Sequence, residues 1–105
     1  MILIHLLSAD KEQLLDIAQL LQQEKLATDF SLHPPVLRFE MGSNNSNHEF
    51  KLHLITCKTK ALLFELIDKT IKARYDSNLP EIYSTPLVHM DWEQTNRWTQ
   101  RIRSI

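Results

Sequence analysis

The order of apolar and amphipathic segments constrains the fold of this chain more than any other feature of its sequence. Ile2 to Leu7 is short and almost continuously apolar, which is typical of a buried strand. Apolar residues then recur at helical spacing from Leu14 to Leu21. Phe50 to Thr56 alternates as a strand does, and Leu63 to Ile71 has helical spacing again. The sequence therefore predicts a strand followed by a helix twice along one chain.

Three residues mark the predicted starts of helices. Asp10 and Asp91 each precede a helical segment and have a glutamine three residues later, at Gln13 and Gln94, which is the pattern of a capping box. Thr59 precedes the second amphipathic segment, and threonine is a favoured N-cap residue. The sequence therefore predicts two long helices and a shorter C-terminal one.

Prolines and turn formers place the other strands. We expect a second strand from Phe30 to Met41, interrupted at Pro34-Pro35 because proline cannot donate to a strand ladder. Gly42 to Asn47 is a run of turn formers that predicts a hairpin. A last strand is expected from Glu81 to His89.

The order β-α-β-β-α-β plus a C-terminal helix predicts an α+β fold. The rules for connections favour a ferredoxin-like βαββαβ split sandwich, in which both long helices cover one face of an antiparallel sheet. The first and third strands are then its central neighbours. The sequence has 105 residues, which is the size of one domain, so we expect a single domain over residues 1–105.

Composition excludes several classes of function. Twelve Lys plus Arg residues face thirteen Asp plus Glu residues, a net charge of -1, so no long-range field attracts nucleic acid. The single glycine excludes the glycine-rich phosphate loops of P-loop and Rossmann proteins. No apolar run approaches the ~20 residues that a membrane span requires. We therefore expect neither a nucleic-acid partner nor a membrane partner.

The N-terminus and the cysteine content indicate a compartment. Met1 to His5 lacks the basic region of an export signal. Cys57 is the only cysteine, so it cannot form an internal disulfide, and this suits a reducing environment. We therefore expect a cytoplasmic protein.

Apolar residues on both faces of the predicted sheet indicate self-association. The first strand carries Ile4 and Leu6 on one face and Leu3 and Leu7 on the other. Two helices cover only one face, and leaving a large apolar side chain exposed costs ~1.5–3 kcal/mol relative to burial. The C-terminal helix, with Trp98 as its large apolar contact, covers part of the second face. Further copies of the same chain are the simplest cover for the rest.

Four segments resemble the CutA family of divalent cation tolerance proteins. Leu20 to Ala27 resembles the end of that family's first helix, Lys58-Thr59 its strand-end Lys-Thr, Leu79 to Ile82 its Val-Pro-Glu-Ile, and Trp98 its C-terminal tryptophan. The resemblance implies a ferredoxin-like subunit, a homotrimer with its sheets turned inward, and an architecture related to the PII signalling proteins. It also implies a role in tolerance of, or response to, divalent metal ions, copper above all.

The positions that carry function in the family differ here. Asp29 stands where the family often has a cysteine, a proposed copper ligand. Tyr75-Asp76-Ser77 replaces a His-Pro-Tyr, so the family's histidine and tyrosine are both absent. The resemblance and the apolar surface together imply subunit contacts at a set of four residues: Phe39, Met41, Pro80 and Trp98.

His5, His53 and Cys57 are the candidate metal ligands. His53 and Cys57 fall on one face of the third strand, and the neighbouring first strand could place His5 across from His53 at ~5 Å between Cβ atoms. Imidazole and thiolate suit copper or zinc ions. The alternative is that hydrogen bonds satisfy both histidines and that Cys57 packs as a small apolar residue.

The sequence gives little support to catalysis. Cys57 with His53 or His5 is the only Cys–His pairing to consider, and a packed sheet offers no oxyanion donors beside it. We therefore expect a non-enzymatic protein that acts by binding or assembly. The alternative is a PII-like regulatory module that binds a small effector between subunits and signals to a protein partner. Such a module uses a long mobile loop after the second strand, whereas Gly42 to Asn47 is short.

Overall fold

A computed structural model describes residues 1–44 and 46–104, and position 45 of the predicted hairpin turn lies outside this part. Within it the chain forms four strands and three α-helices, the second helix preceded by a 3-10 turn at Ala61–Leu63. The elements are β1 (Ile2–Ser8), α1 (Lys11–Gln23), β2 (Thr28–Met41), β3 (Asn47–Thr59), α2 (Phe64–Arg74), β4 (Glu81–Pro86) and α3 (Trp92–Arg101).

The four strands form one antiparallel sheet in the order β2-β3-β1-β4. This confirms the predicted ferredoxin-like βαββαβ arrangement with the first and third strands in the centre. Ile4 is paired with Cys57 and Leu6 with Ile55. All four side chains belong to the core formed with the helices, so they define the face that α1 and α2 cover.

The core lies between that face and the two long helices. Leu14, Ile17 and Leu21 of α1 and Ile67 and Ile71 of α2 are buried, at the helical spacing that the sequence showed. The packing of these apolar stripes holds the helices on the sheet. Leu66 lies within the segment Leu63 to Ile71 that was predicted to have a buried apolar stripe, but it is 40% exposed.

Asp10 caps α1 as predicted, but Gln13 does not complete the capping box. The Asp10 carboxylate accepts hydrogen bonds from the backbone N–H groups of Glu12 and Gln13, at 3.0 and 3.3 Å. The side chain of Gln13 does not return to the Asp10 backbone. It accepts from the Ser8 hydroxyl and donates to the Asn78 carbonyl, both at 2.7 Å, and so ties the helix to β1 and to the loop before β4.

The prediction that Thr59 caps the second helix is wrong. Thr59 is the last residue of β3, and its buried hydroxyl donates to the Leu26 carbonyl at 2.6 Å. The second helix begins instead through the turn at Ala61–Leu63, where no side chain caps the backbone. The Thr59 hydroxyl therefore ties the end of β3 to the connection between α1 and β2, and it does not cap a helix.

Pro34-Pro35 interrupts β2 as predicted, whereas β4 is shorter than predicted. The pairing of β2 with β3 shifts between His33 and Val36, so Pro34-Pro35 lies in a bulge. The last strand ends at Pro86, and not at His89 as predicted.

Polar and backbone contacts fasten α3. Asp91 caps it by accepting from the Gln94 N–H at 3.0 Å, as predicted. Ile102 follows the helix and is buried in the core. The next residue, Arg103, donates its backbone N–H to the Lys25 carbonyl at 2.8 Å.

Candidate functional site

The sheet face opposite α1 and α2, here called the open face, is the candidate functional surface. Side chains alternate along a strand, so the residues next to the core positions of β1 lie on this face together with their partners. They include Leu3, His5, Leu7, Leu54, Thr56, Tyr83 and Thr85. The centre of the open face thus combines leucines with a histidine, a tyrosine and two threonines.

His5 lies at the centre of the open face between Thr56 of β3 and Tyr83 of β4. Its ring stacks on that of Tyr83, with 4.7 Å between centroids. Burial lowers the pKa of His5 below its usual 6.5, and the nearby His33 lowers this pKa further. The imidazole is therefore neutral at pH 7.

A second histidine reaches the same region from β2. The Nε2 atom of His33 and the Oγ1 atom of Thr56 share a hydrogen bond of 2.7 Å. Thr56 is buried and lies between the two histidines, since it is the register partner of His5. The sequence did not single out His33, which lies next to the prolines where the second strand was expected to be interrupted.

The structure does not bring the three predicted metal ligands together. His53 pairs with Ser8 and lies on the covered face with Cys57, whereas His5 pairs with Thr56 on the open face. The expectation that His5 lies across from His53 is therefore wrong, because the register differs from the one assumed. No group of three or more His, Cys, Asp and Glu side chains within residues 1–44 and 46–104 is arranged to hold a metal ion.

Cys57 is a core residue. Its side chain is 0% exposed, and burial raises the pKa of its thiol to about 12. A thiol of this kind is protonated at neutral pH, so it is a poor nucleophile, and its full burial in the core keeps it away from an incoming ion. This agrees with the alternative that Cys57 packs as a small apolar residue.

Asp29 lies in a cluster of charges at the start of β2. One carboxylate oxygen is 3.5 Å from Lys58 Nζ, and the other is 3.3 Å from Arg101 Nη1. Lys58 Nζ also lies over the ring of Trp98, 4.7 Å from its centroid. Asp29 therefore joins the beginning of β2 to the end of β3 and to α3.

Residues 36–41 of β2 and 47–52 of β3, here called the hairpin arm, extend beyond β1, which pairs only with residues 53–59. Phe39 and Met41 lie on this arm and are 60% and 69% exposed. The other two predicted contact residues, Pro80 and Trp98, are half-buried. The two-stranded arm is braced by an ion pair of 2.6 Å between Arg38 and Glu81.

A shallow pocket lies between β4 and α3. Its volume is about 360 Å³, and it is lined by Val88, His89, Met90, Trp92 and Thr95. Trp92 is 80% exposed, so this tryptophan does not pack in the core of its own subunit. The sequence pattern did not predict the pocket, because its residues come from the end of a predicted strand and the start of a helix.

No protein-family model matches the sequence, and no curated protein sequence matches it. Solved structures do match. A divalent cation tolerance protein from Thermus thermophilus has a TM-score of 0.82 at 20% identity, covering 98% of this chain and 100% of the other. CutA1 from Oryza sativa has a TM-score of 0.83 at 18% identity, covering 99% and 94% of the two chains.

A third solved structure is similar to the chain to the same degree. It is described as the periplasmic divalent cation tolerance protein CutA from Archaeoglobus fulgidus, with a TM-score of 0.81, 19% identity and coverage of 98% and 100%. The chain thus belongs to the class of ferredoxin-like split sandwiches. Within that class it has the fold of the CutA1 proteins over nearly its whole length.

No helix in residues 1–44 and 46–104 is long and apolar enough to cross a membrane.

Proposed function

We propose that this chain is a divergent member of the CutA family and that it acts as a non-enzymatic homotrimer in the tolerance of, or response to, divalent metal ions. The observation that carries the proposal is the match to CutA1 structures over 98–99% of the chain. The order and spacing of the family-like segments in the sequence support it independently.

The open face supports the assembly. It presents the partly exposed Leu3 and Leu54 and the ring of Tyr83, and a face of this kind in an antiparallel sheet is ordinarily polar where it meets water. Tyr83 is exposed in the single subunit. Packing against the same face of other copies would bury this surface, and a closed ring would leave no copy uncovered.

The hairpin arm supports the same assembly. An isolated two-stranded ribbon is only marginally stable in water. Phe39 and Met41 are among the most exposed large apolar side chains, so the arm gains stability where a neighbouring subunit covers them. We therefore assign these two residues to the contact between subunits.

Neither the copper ligand that the family resemblance implies nor the ligand set predicted from strand pairing fits this chain. Asp29 replaces the cysteine and already pairs with two cations. Cys57 is a protonated core thiol, and His5 lies on the opposite face of the sheet. The proposed metal role therefore rests on the likeness to tolerance proteins, and we assign no copper site within one subunit.

The buried cysteine supports the proposed non-enzymatic role and the proposed compartment. A thiol with a pKa of about 12 provides no nucleophile, which supports a binding or assembly role instead of turnover. A single buried cysteine suits the reducing cytoplasm, where we place the protein. The PII-like alternative is less well supported, because only positions 42–46 separate the end of β2 from the start of β3.

Variants of the hairpin arm test the proposal. We expect the double variant Phe39→Ser with Met41→Ser to lose the trimer in native mass spectrometry, because the arm no longer offers apolar surface to its neighbour. Leu62→Ser is the matched control, since Leu62 is 78% exposed but lies in the turn before α2, away from the arm. An arm variant that keeps the wild-type mass would contradict the assignment of these contacts.

A further inference from the structure

We infer that Asp29 is a structural ion-pair centre that holds the C-terminal helix to the sheet, and that it does not act as a divalent-metal ligand. The second half of this inference rests on the proposed CutA membership, since the family resemblance is what assigns metal chemistry to this position. The first half rests on the contacts of the carboxylate alone.

Each oxygen of the Asp29 carboxylate faces a cationic side chain. Lys58 Nζ lies 3.5 Å from one oxygen, and Arg101 Nη1 lies 3.3 Å from the other. The carboxylate and the lysine are both less than a third exposed, so solvent screens this pair less than a pair at the open surface. The three groups together carry a net charge of +1, which repels a divalent cation.

The backbone conformation at Asp29 suits an aspartate, and Asp29 has no partner in the pairing of β2 with β3. Its φ angle is 54°, in the left-handed region, which aspartate and asparagine tolerate better than most residues. The register of β2 against β3 shifts between Thr28 and Ser31, so Asp29 falls in an irregular stretch. The local conformation thus explains why an Asp is accommodated here, independently of any metal.

The C-terminal helix depends on such contacts. No residue within α3 itself is buried, so this helix has no apolar stripe like that of α1, and its apolar contact with the core comes from Ile102 directly after it. Arg101 binds Asp29, and Trp98 packs under Lys58, which itself binds Asp29. Removing the Asp29 charge therefore breaks the ion pair with Arg101 and the pair that holds Lys58 beside Trp98, while Ile102 and the Arg103 backbone still hold the end of the helix.

Asp29→Asn tests the inference. Asparagine keeps the left-handed backbone and the size of the side chain, and it removes the charge and one acceptor oxygen. We expect amide hydrogen exchange in α3 to rise several-fold, while exchange in α1 stays at the wild-type rate. We also expect isothermal titration with Zn(II) and with Mn(II) to give the same result for Asp29→Asn as for the wild type.

Asp68→Asn is the matched control, because Asp68 forms a 2.9 Å ion pair with Lys72 within α2 and no ion pair with another element in the part of the chain that the structure describes. It should leave exchange in α3 unchanged. Arg101→Met should raise exchange in α3 less than Asp29→Asn does, because it removes one of the two ion pairs of Asp29. Combining the two changes should add little to Asp29→Asn, because that variant has already lost the pair with Arg101.

Two results would overturn the inference. One is α3 exchange in Asp29→Asn that equals the wild-type exchange, and the other is a loss of Zn(II) or Mn(II) binding in that variant. The mass of each variant in solution, measured alongside, separates this inference from the proposed trimer. A monomeric wild type would refute the trimer and leave the exchange result for Asp29 intact.

Discussion

The rings of His5 and Tyr83 lie almost parallel on the open face, with 4.7 Å between centroids and 8° between planes. The stack removes part of the His5 imidazole from water, and His33 faces it from the other side of Thr56. Both effects disfavour the protonated ring, burial more than His33. The centre of the open face therefore favours the neutral form of His5.

We expect stability to fall as the pH drops through about 6.5, the usual pKa of histidine. The pKa of His5 is lowered in the folded chain, so the unfolded chain binds more protons once the pH is below 6.5. The contribution is fully present above that value and is lost towards lower pH. Urea unfolding between about pH 5 and about pH 8, at one protein concentration, measures it.

His5→Gln provides the control for this pH dependence, because glutamine does not titrate. Its stability curve should be flatter than that of the wild type over the same range. Equal slopes for the two proteins would show that His5 does not cause the effect.

Cys57 should resist alkylation in the native protein. Its pKa of about 12 leaves almost no thiolate at pH 8, and its side chain is 0% exposed. We expect mass spectrometry to find no iodoacetamide adduct on the folded chain and complete modification in denaturant. Rapid modification under native conditions would contradict a core position for this thiol.

Thr59→Val should destabilise the fold by about 1–3 kcal/mol, because it leaves the buried Leu26 carbonyl without its donor. Thr70→Val is the control, since the Thr70 hydroxyl donates within α2 to the Leu66 carbonyl near solvent. That change should stay within about 0.5 kcal/mol. Denaturant unfolding of both variants measures the difference. Equal losses in the free energy of unfolding would mean that the Thr59 hydrogen bond stabilises the fold no more than the Thr70 one does.

Local signals predicted most of the fold. The capping aspartates Asp10 and Asp91 act within four residues of the chain, so their role can be deduced from nearby sequence. The bulge at Pro34-Pro35 follows equally from what proline lacks. The order of these local elements, together with the connection rules, then predicted the sheet topology.

Contacts between distant residues account for what the sequence did not predict. The partner of Thr59 is 33 residues away, so its hydroxyl looked like a helix cap. The candidate site depended on strand register, and a shift of one residue moves every side chain to the other face. His5 was therefore placed beside His53, whereas the actual pairing puts it beside Thr56.

The mass of the wild-type protein in solution tests the central claim most directly. Light scattering on the eluate of a sizing column, at micromolar concentration, should give three times the mass of the 105-residue chain. A single-chain mass under those conditions would show that the open face and the hairpin arm need no second copy, and it would contradict the proposed assembly.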